Sequence, residues 1–527
     1  MAKDTAVAVT GKRKRDDALS KRNGAKKPAT GPAVNGQKKK STAARPDARI
    51  GPVKQKNAGK ASKPITAVTK EPYDDGHLYV QIVAGSYERV LHGFSASIPR
   101  HLLQTTPDTS EPAATDDVTF SDTFLFAAHA SSVRCLAVSP PTESDKRFLA
   151  TGSSDERINV YSVSTAPPKA NGKPSLPSLA ANVVVENPRN RSLGSLTHHD
   201  RAITRLDFPA KGKLFSAAED NTIAISRTRD WTMLSSIKAP IPKAQGRPSG
   251  DTAGPGETPA GVHDFAIHPS QKLMLSVGRG ERSLRLWNLM TGKKAGVLNF
   301  DRSLLTQAGE GKFGSGEGRR VLWNAAGDAY VVGFERGAAV FGLDSKPKAV
   351  IRPSPPTKLH QSRVLKLGSH EVFATSTEDG RILFFDLDFP ESETGAEQLP
   401  SCTCVAQLGG KAAEISGRIK DFEILRVGAE SSVTLLVVTA SSDGAVRLWS
   451  MPDTLNAVES AAADAGEQVK SVPSPPVQVG RLIGTLETGS RITCLGAFIM
   501  DGKVSGDAAN GDDDIATGAD ENSEESD

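Results

Sequence analysis

Apolar and polar residues alternate in short bursts along most of this chain, and the bursts share one plan. "FLATGSSDERINVYS" (148–162), "LFSAAEDNTIAIS" (214–226), "MLSVGRGERSLRLWN" (274–288), "YVVGFERGAAVFG" (330–342), "VFATSTEDGRILFFD" (372–386) and "LVVTASSDGAVRLWS" (436–450) follow it. An apolar, β-branched run meets a small or polar turn that closes on an acidic residue, and a short alternating strand then ends near an aromatic. "VAGSYERVLHGF" (83–94) is a seventh copy. Alternation with period two predicts strands with one face more deeply buried than the other. Anchored on the turn, the copies fall at Tyr87, Asp155, Asp220, Glu281, Glu335, Asp379 and Asp443, 44 to 68 residues apart. The shortest step is close to the roughly 40–45 residues of a four-stranded propeller blade. The longer steps require loops.

Each turn after the first is preceded by another alternating run, as in "HASSVRCLAVSP" (129–140), "HDRAITRLDFPAKGK" (199–213) and "GRIKDFEILRV" (417–427). Between copies lies a fourth, shorter run such as "SLGSLT" (192–197) or "KAGVLNF" (294–300). Four strands per copy, joined by Pro, Gly and Asn turns, predict an all-β fold, a seven-bladed β-propeller over residues 73–500. The first copy has no blade-opening strand, because upstream of "HLYVQIV" (77–83) lies only a Pro- and Lys-rich stretch. The last copy leaves one strand over: "SRITCLGAF" (490–498) reads as a blade opener that no turn follows. Residues 490–498 are therefore expected to complete the blade that residues 77–94 begin.

Charge sharpens the boundaries. The formal net charge of +4 hides two opposed ends. Residues 1–70 hold 19 Lys/Arg against 4 Asp/Glu, whereas residues 501–527 hold 10 Asp/Glu and a single Lys503. Neither end has the apolar surface to offset the roughly 1–2 kcal/mol per residue that ordering a backbone costs. Residues 1–72 are expected to be a disordered basic tail and 501–527 a disordered acidic one. No apolar stretch approaches the roughly 18 residues of a membrane span, and no apolar segment of the signal-peptide kind follows the basic start, so a soluble, unsecreted protein is expected. Four cysteines, Cys135, Cys402, Cys404 and Cys494, fit a reducing compartment; Cys402 and Cys404 lack a second pair at zinc spacing and read as free thiols.

The acidic turns and the histidines near the start of some copies resemble the WD40 family, whose repeats carry a Gly-His start and a Trp-Asp end. The resemblance implies a structural hydrogen-bond network of His129, Thr151, Asp155 and Tyr161 in the second blade. It implies His199, Ser216 and Asp220 in the third, and Thr439, Asp443 and Trp449, without a histidine, in the seventh. Glu281 and Glu335 stand where blades four and five would carry Asp. A narrower resemblance rests on "VAGSYERVLHGF", "TGSSDERINVY" (151–161), "LSSIKAP" (234–240), "LMLSVG" (273–278), "RLWNLMTG" (285–292), "VTASSDGAVRLW" (438–449) and "SRITCLG" (490–496). In these the chain is similar, over roughly 77–500, to a family of WD40 ribosome-assembly proteins: the p21-activated-kinase-interacting proteins of animals and their fungal maintenance-of-killer counterparts. That resemblance implies a nucleolar, nuclear factor for large-subunit assembly that contacts pre-ribosomal particle proteins as a monomer within a large assembly. It also implies, in the animal relatives, binding and restraint of a p21-activated kinase.

The tail adds its own chemistry. "GKRKRDD" (11–17) and "QKKKS" (37–41) place Lys12, Arg13, Lys14, Arg15, Lys38, Lys39 and Lys40 as candidates for nuclear import and for contact with pre-rRNA. Other motifs dissolve under their context. "GEGKFG" (309–314) fits a dinucleotide fingerprint but lies in an all-β repeat instead of a βαβ unit. His198-His199-Asp200 falls at a blade start, where these residues serve turns. No nucleophile signature or carboxylate pair stands out, so no enzyme activity, cofactor or metal is expected. Five loops, about 98–122, 164–190, 239–260, 301–318 and 453–479, are rich in Pro, Ala, Ser and Gly and are expected to be mobile.

Overall fold

The computed structural model describes residues 76–501 apart from 105–116, 143–144, 168–186, 188, 243–259, 313, 368–369, 389–397, 416, 429–432 and 453–475. Both tails, with Lys12 to Arg15 and Lys38 to Lys40, lie outside the described residues, as does much of the loops named above.

Among the described residues the chain forms seven sheets built on four antiparallel strands, each sheet one blade of a propeller and one of them extended by a fifth strand. Blade two is typical, with an inner strand Val133–Val138, then Lys146–Ser153, Ile158–Ser164 and an outer strand Arg191–Leu196. Inner strands of blades three to seven are Ile203–Ala210, Val262–Ile267, Arg320–Trp323, Leu359–Leu367 and Ile419–Val427. Blade one is assembled from both ends. Its inner strand Ile492–Ile499 pairs antiparallel with His77–Ser86, Val80 opposite Ile499 and Leu495 opposite Ala84, and Val90–Pro99 and Thr119–Ala127 follow outward. Closure this way covers the edge of His77–Ser86 that would otherwise lack a partner.

The recurring small residues before each acidic turn have a steric reason. A Cβ at Gly152, in the second strand of blade two, would lie 2.6 Å from Ile203 Cγ2 of blade three. At Gly85 of blade one it would lie 2.8 Å from Val133 Cγ1 of blade two. The second strand of one blade thus stays bare where the next blade's inner strand packs against it. Around these contacts the apolar residues merge across blade boundaries: Val80, Ile82 and Leu495 of blade one share a core with Leu436, Val438 and Leu448 of blade seven.

Two features depart from the sequence reading. Residues 301–318 are not simply a mobile loop, because Arg302–Gln307 forms a helix whose Leu304 and Leu305 are buried against Phe300 and Phe334. Two leucines in six residues are too short a signal for helical periodicity, and burial decides the outcome. The segment 453–479 likewise ends in order: Val477–Gln478 adds a parallel fifth strand to the outer edge of blade six, beside Cys404–Gly409.

Candidate functional site

The site residues named from sequence fall at the end of the propeller where the second and third strands of every blade turn. In blade two, His129 Nδ1 lies 3.1 Å from Asp155 Oδ2 and its Nε2 2.9 Å from Thr151 Oγ1. One ring nitrogen thus faces the carboxylate and the other the threonine hydroxyl. Burial holds the His129 pKa below its ordinary value against the pull of Asp155. Burial would raise Asp155, but the amides of Ala130 and Arg157, with His129, outweigh it and hold the carboxyl low. Burial pushes the Tyr161 phenol up, offset by hydrogen bonds with Asn159 and Thr151, and its ring meets Phe126 of blade one edge-on at 5.7 Å.

Blade three repeats the pattern. His199 bridges Asp220 Oδ2 at 3.0 Å and Ser216 Oγ at 2.8 Å, and Thr222 Oγ1 donates to Asp220 Oδ1 at 2.6 Å. Burial opposes ionisation of Asp220, and the hydrogen bonds from His199 and Thr222 still hold it well below the usual carboxylate range. The neighbouring His198 reaches the same Ser216 at 3.2 Å, and burial beside His199 lowers its pKa to about 4. Both ring nitrogens of His199 are taken up by these contacts.

In blades four, six and seven, where histidine is missing, arginine takes its place, a substitution the sequence reading overlooked. In blade seven Trp449 Nε1 donates to Thr439 Oγ1 at 3.1 Å, while Arg447 reaches Ser441 Oγ at 3.2 Å and lies 3.6 Å from Asp443. In blade four Arg285 grips Glu281 with two bonds of 2.5 Å, and Trp287 Nε1 donates to Ser276 Oγ at 2.8 Å. In blade six Arg381 Nη2 donates to Asp379 Oδ2 at 2.6 Å. The signal was present as an arginine an even number of residues after the turn acid, which in a strand returns to the same face.

Nearer the axis, polar groups staple each inner strand to the next. Arg205 of blade three meets Asp264 Oδ1 of blade four at 3.2 Å, and Asp264 Oδ2 accepts the Val321 amide of blade five at 3.0 Å. Arg320 Nε donates to the His360 carbonyl of blade six at 3.2 Å. Arg363 lies 3.4 Å from Asp421 Oδ1 of blade seven, and Asp421 Oδ2 accepts the Leu495 amide of blade one at 3.0 Å. Thr493 Oγ1 donates to the Val133 carbonyl of blade two at 2.6 Å, and Arg134 Nη1 to Glu219 Oε1 of blade three at 2.9 Å. Burial pulls the Arg363 pKa down, and Glu423 and Asp421 outweigh it and raise the pKa. The ring holds blades in register and presents a fixed frame.

The remaining motifs supply no reactive group. "GEGKFG" follows the helix Arg302–Gln307 instead of opening one, and Glu310 within it accepts the Arg336 amide at 2.9 Å. Burial pushes the Cys402 and Cys404 thiols up to about 12, the opposite of an activated thiolate nucleophile.

Comparison with known proteins agrees with this geometry. A family model described as "WD domain, G-beta repeat" matches residues 120–162 and 190–225. Each match runs from the outer strand of one blade through the third strand of the next, the same one-strand stagger that closes the ring. The chain is 28% identical over 425 residues to human p21-activated protein kinase-interacting protein 1, covering 80% of this chain and 77% of that one. It is 25% identical over 417 residues to a zebrafish (Danio rerio) p21-activated protein kinase-interacting protein 1-like, covering 79% and 80%. It is 26% identical over 397 residues to Protein MAK11 of Saccharomyces cerevisiae, covering 70% and 78%. The chain is a seven-bladed propeller that carries WD40 repeats, and the matched model is a repeat domain, not an enzyme.

Proposed function

We propose that this WD40 propeller is a non-catalytic scaffold that acts in assembly of the large (60S) ribosomal subunit precursor in the nucleolus, docking pre-ribosomal particle proteins on its rigid frame. The supporting observation is that similarity to the animal proteins and to yeast MAK11 extends along most of both partners. On a frame whose polar groups are engaged in holding blades together, surface is the working part. The basic segment complements it. Its 19 Lys/Arg against 4 Asp/Glu over residues 1–70 suit nuclear import through Lys12 to Arg15 and contact with pre-rRNA. Neutralising on the order of six to ten phosphates would make that contact weaken by about 10³ to 10⁵ between 50 and 200 mM salt. Depletion followed by gradient sedimentation tests the reading. Loss of large-subunit precursors and of free large subunits is expected, and an unchanged subunit ratio overturns it.

The names of the animal relatives favour a second reading, that the propeller binds and restrains a p21-activated kinase. Under it, depletion leaves subunit ratios normal and raises kinase activity.

A further inference from the structure

Six of the seven inner strands share an irregularity that takes residues out of the sheet register. The pairing slips between Val133 and Cys135, Ile203 and Arg205, Val262 and Asp264, and Ile419 and Asp421. It also slips between Leu359 and Ser362, and opposite Gly85/Ser86 at Thr493. A bulge of this kind leaves its extra residue unpaired and redirects the side chain, a device common beside binding sites. The residues set out of register are Arg134, Thr204, His263, Lys420, Thr493 and, beside Gln361 in the two-residue slip of blade six, His360, and they surround the axis at the end where the inner strands begin. Four are occupied: Arg134 by Glu219 at 2.9 Å, Thr204 by the Val262 carbonyl at 2.7 Å, His263 by Glu317 at 3.5 Å and Thr493 by the Val133 carbonyl.

The other two adjoin one another on blades six and seven. His360 Nε2 is buried without a hydrogen bond. Half-buried Lys420 is held by no ion pair or side-chain hydrogen bond among the described residues. Cations crowd them. Arg418 and Arg491 act on Lys420, and Arg418 and Arg320 act on His360, so burial and like charge together hold both groups below their ordinary pKa. Glu378 stands against them but is engaged by Arg418 at 3.4 Å. A half-buried ammonium without a counter-ion costs stability, and a cost retained at a surface opening points to a ligand.

We propose that the arc of His360, Lys420 and Arg491 at the mouth of the axis is a binding site for an anionic side chain, contributed by an acidic segment of a partner protein. A protein fits better than nucleic acid because the turns of blades one to three carry carboxylates that no Lys or Arg side chain pairs among the described residues, Glu88, Asp155 and Asp220. A polyanionic backbone crossing this face meets those charges along its length, whereas a single inserted carboxylate does not. This deepens the scaffold reading and rests on it, by naming the chemistry of a docked partner.

The test uses the full chain and a fluorescein-labelled peptide of alternating Glu and Gly, followed by anisotropy at 100 mM salt. The double variant Lys420→Gln/Arg491→Gln should bind about tenfold more weakly than the wild type. The basic N-terminal segment contributes equally to both. Thermal melting without peptide supplies a readout that a merely structural lysine would fail: Lys420→Gln should melt at or above the wild-type temperature, since it removes an uncompensated charge. Less than a twofold change in affinity, a marked drop in melting temperature for Lys420→Gln, or an equal Lys420 dependence for single-stranded RNA each overturns the site. Peptide binding by the purified chain is independent of subunit ratios, so failure here and failure of the assembly reading are told apart.

Discussion

Ending the chain at Gly489 removes the inner strand of blade one and makes the most direct test of how the ring is held. The strand buries Ile492 (0% exposed), Leu495 (1%) and Phe498 (3%) between blades seven and two. At about 1.5–3 kcal/mol for each side chain taken from water, the three contribute roughly 5–9 kcal/mol. The loss also strips the His77–Ser86 strand of its ladder and frees the acceptor on Asp421 and the Val133 carbonyl. Stabilities of whole domains are about 5–15 kcal/mol, so the truncated chain should lack a cooperative native state. The milder Leu495→Ala should fold and lose about 2–5 kcal/mol by cavity formation. Guanidinium unfolding followed by circular dichroism reads both. A chain ending at Gly489 that unfolds at the same midpoint and with the same slope as the full chain would refute the idea that closure depends on this strand.

Two further outcomes follow from blade packing and burial. Gly152→Ala places a methyl 2.6 Å from Ile203 Cγ2 and should destabilise by about 1–3 kcal/mol; combined with Ile203→Ala the losses should be less than additive in a double-mutant cycle, and strict additivity would count against direct contact between blades two and three. His129, His198 and His360 all have folded pKa values below the ordinary histidine value, the last two at about 4. The unfolded chain therefore binds more protons, and their contribution to stability is complete above about pH 6.5 and lost as pH falls toward 4. Asp155 and Asp379, held low in the fold, extend the loss below their unfolded values near 4. Denaturant midpoints should drop between pH 7.5 and 4.5, and a rise would reverse the assignment.

The chain itself determined what depends on neighbours along the backbone. Alternation of period two in "LVVTASSDGAVRLWS" or "LFSAAEDNTIAIS" marks strand, turn and strand because successive side chains must face opposite ways. Seven such copies are legible without any coordinates, as is the leftover "SRITCLGAF". The pairs His129 with Asp155 and His199 with Asp220 were also accessible, since both partners belong to one blade and one motif. Arg447 and Arg285, equally local, were passed over because an arginine in an exposed-looking strand gives no hint of a carboxylate behind it.

Tertiary structure decided everything that one blade does to the next. Whether Gly152 is bare for flexibility or for Ile203 depends on how closely two sheets approach. Whether Leu304 and Leu305 belong to a wandering loop or a buried helix depends on the wedge of space between blades four and five. The staples from Arg205 to Asp264 and from Asp421 to the Leu495 amide join residues about 60 to 75 positions apart, where no periodicity reaches. The same holds for the bulges that turn His360 and Lys420 toward the axis: a slip of one position in register reverses the side a residue faces, and the slip is set by the partner strand and the crowding of seven inner strands around a common centre.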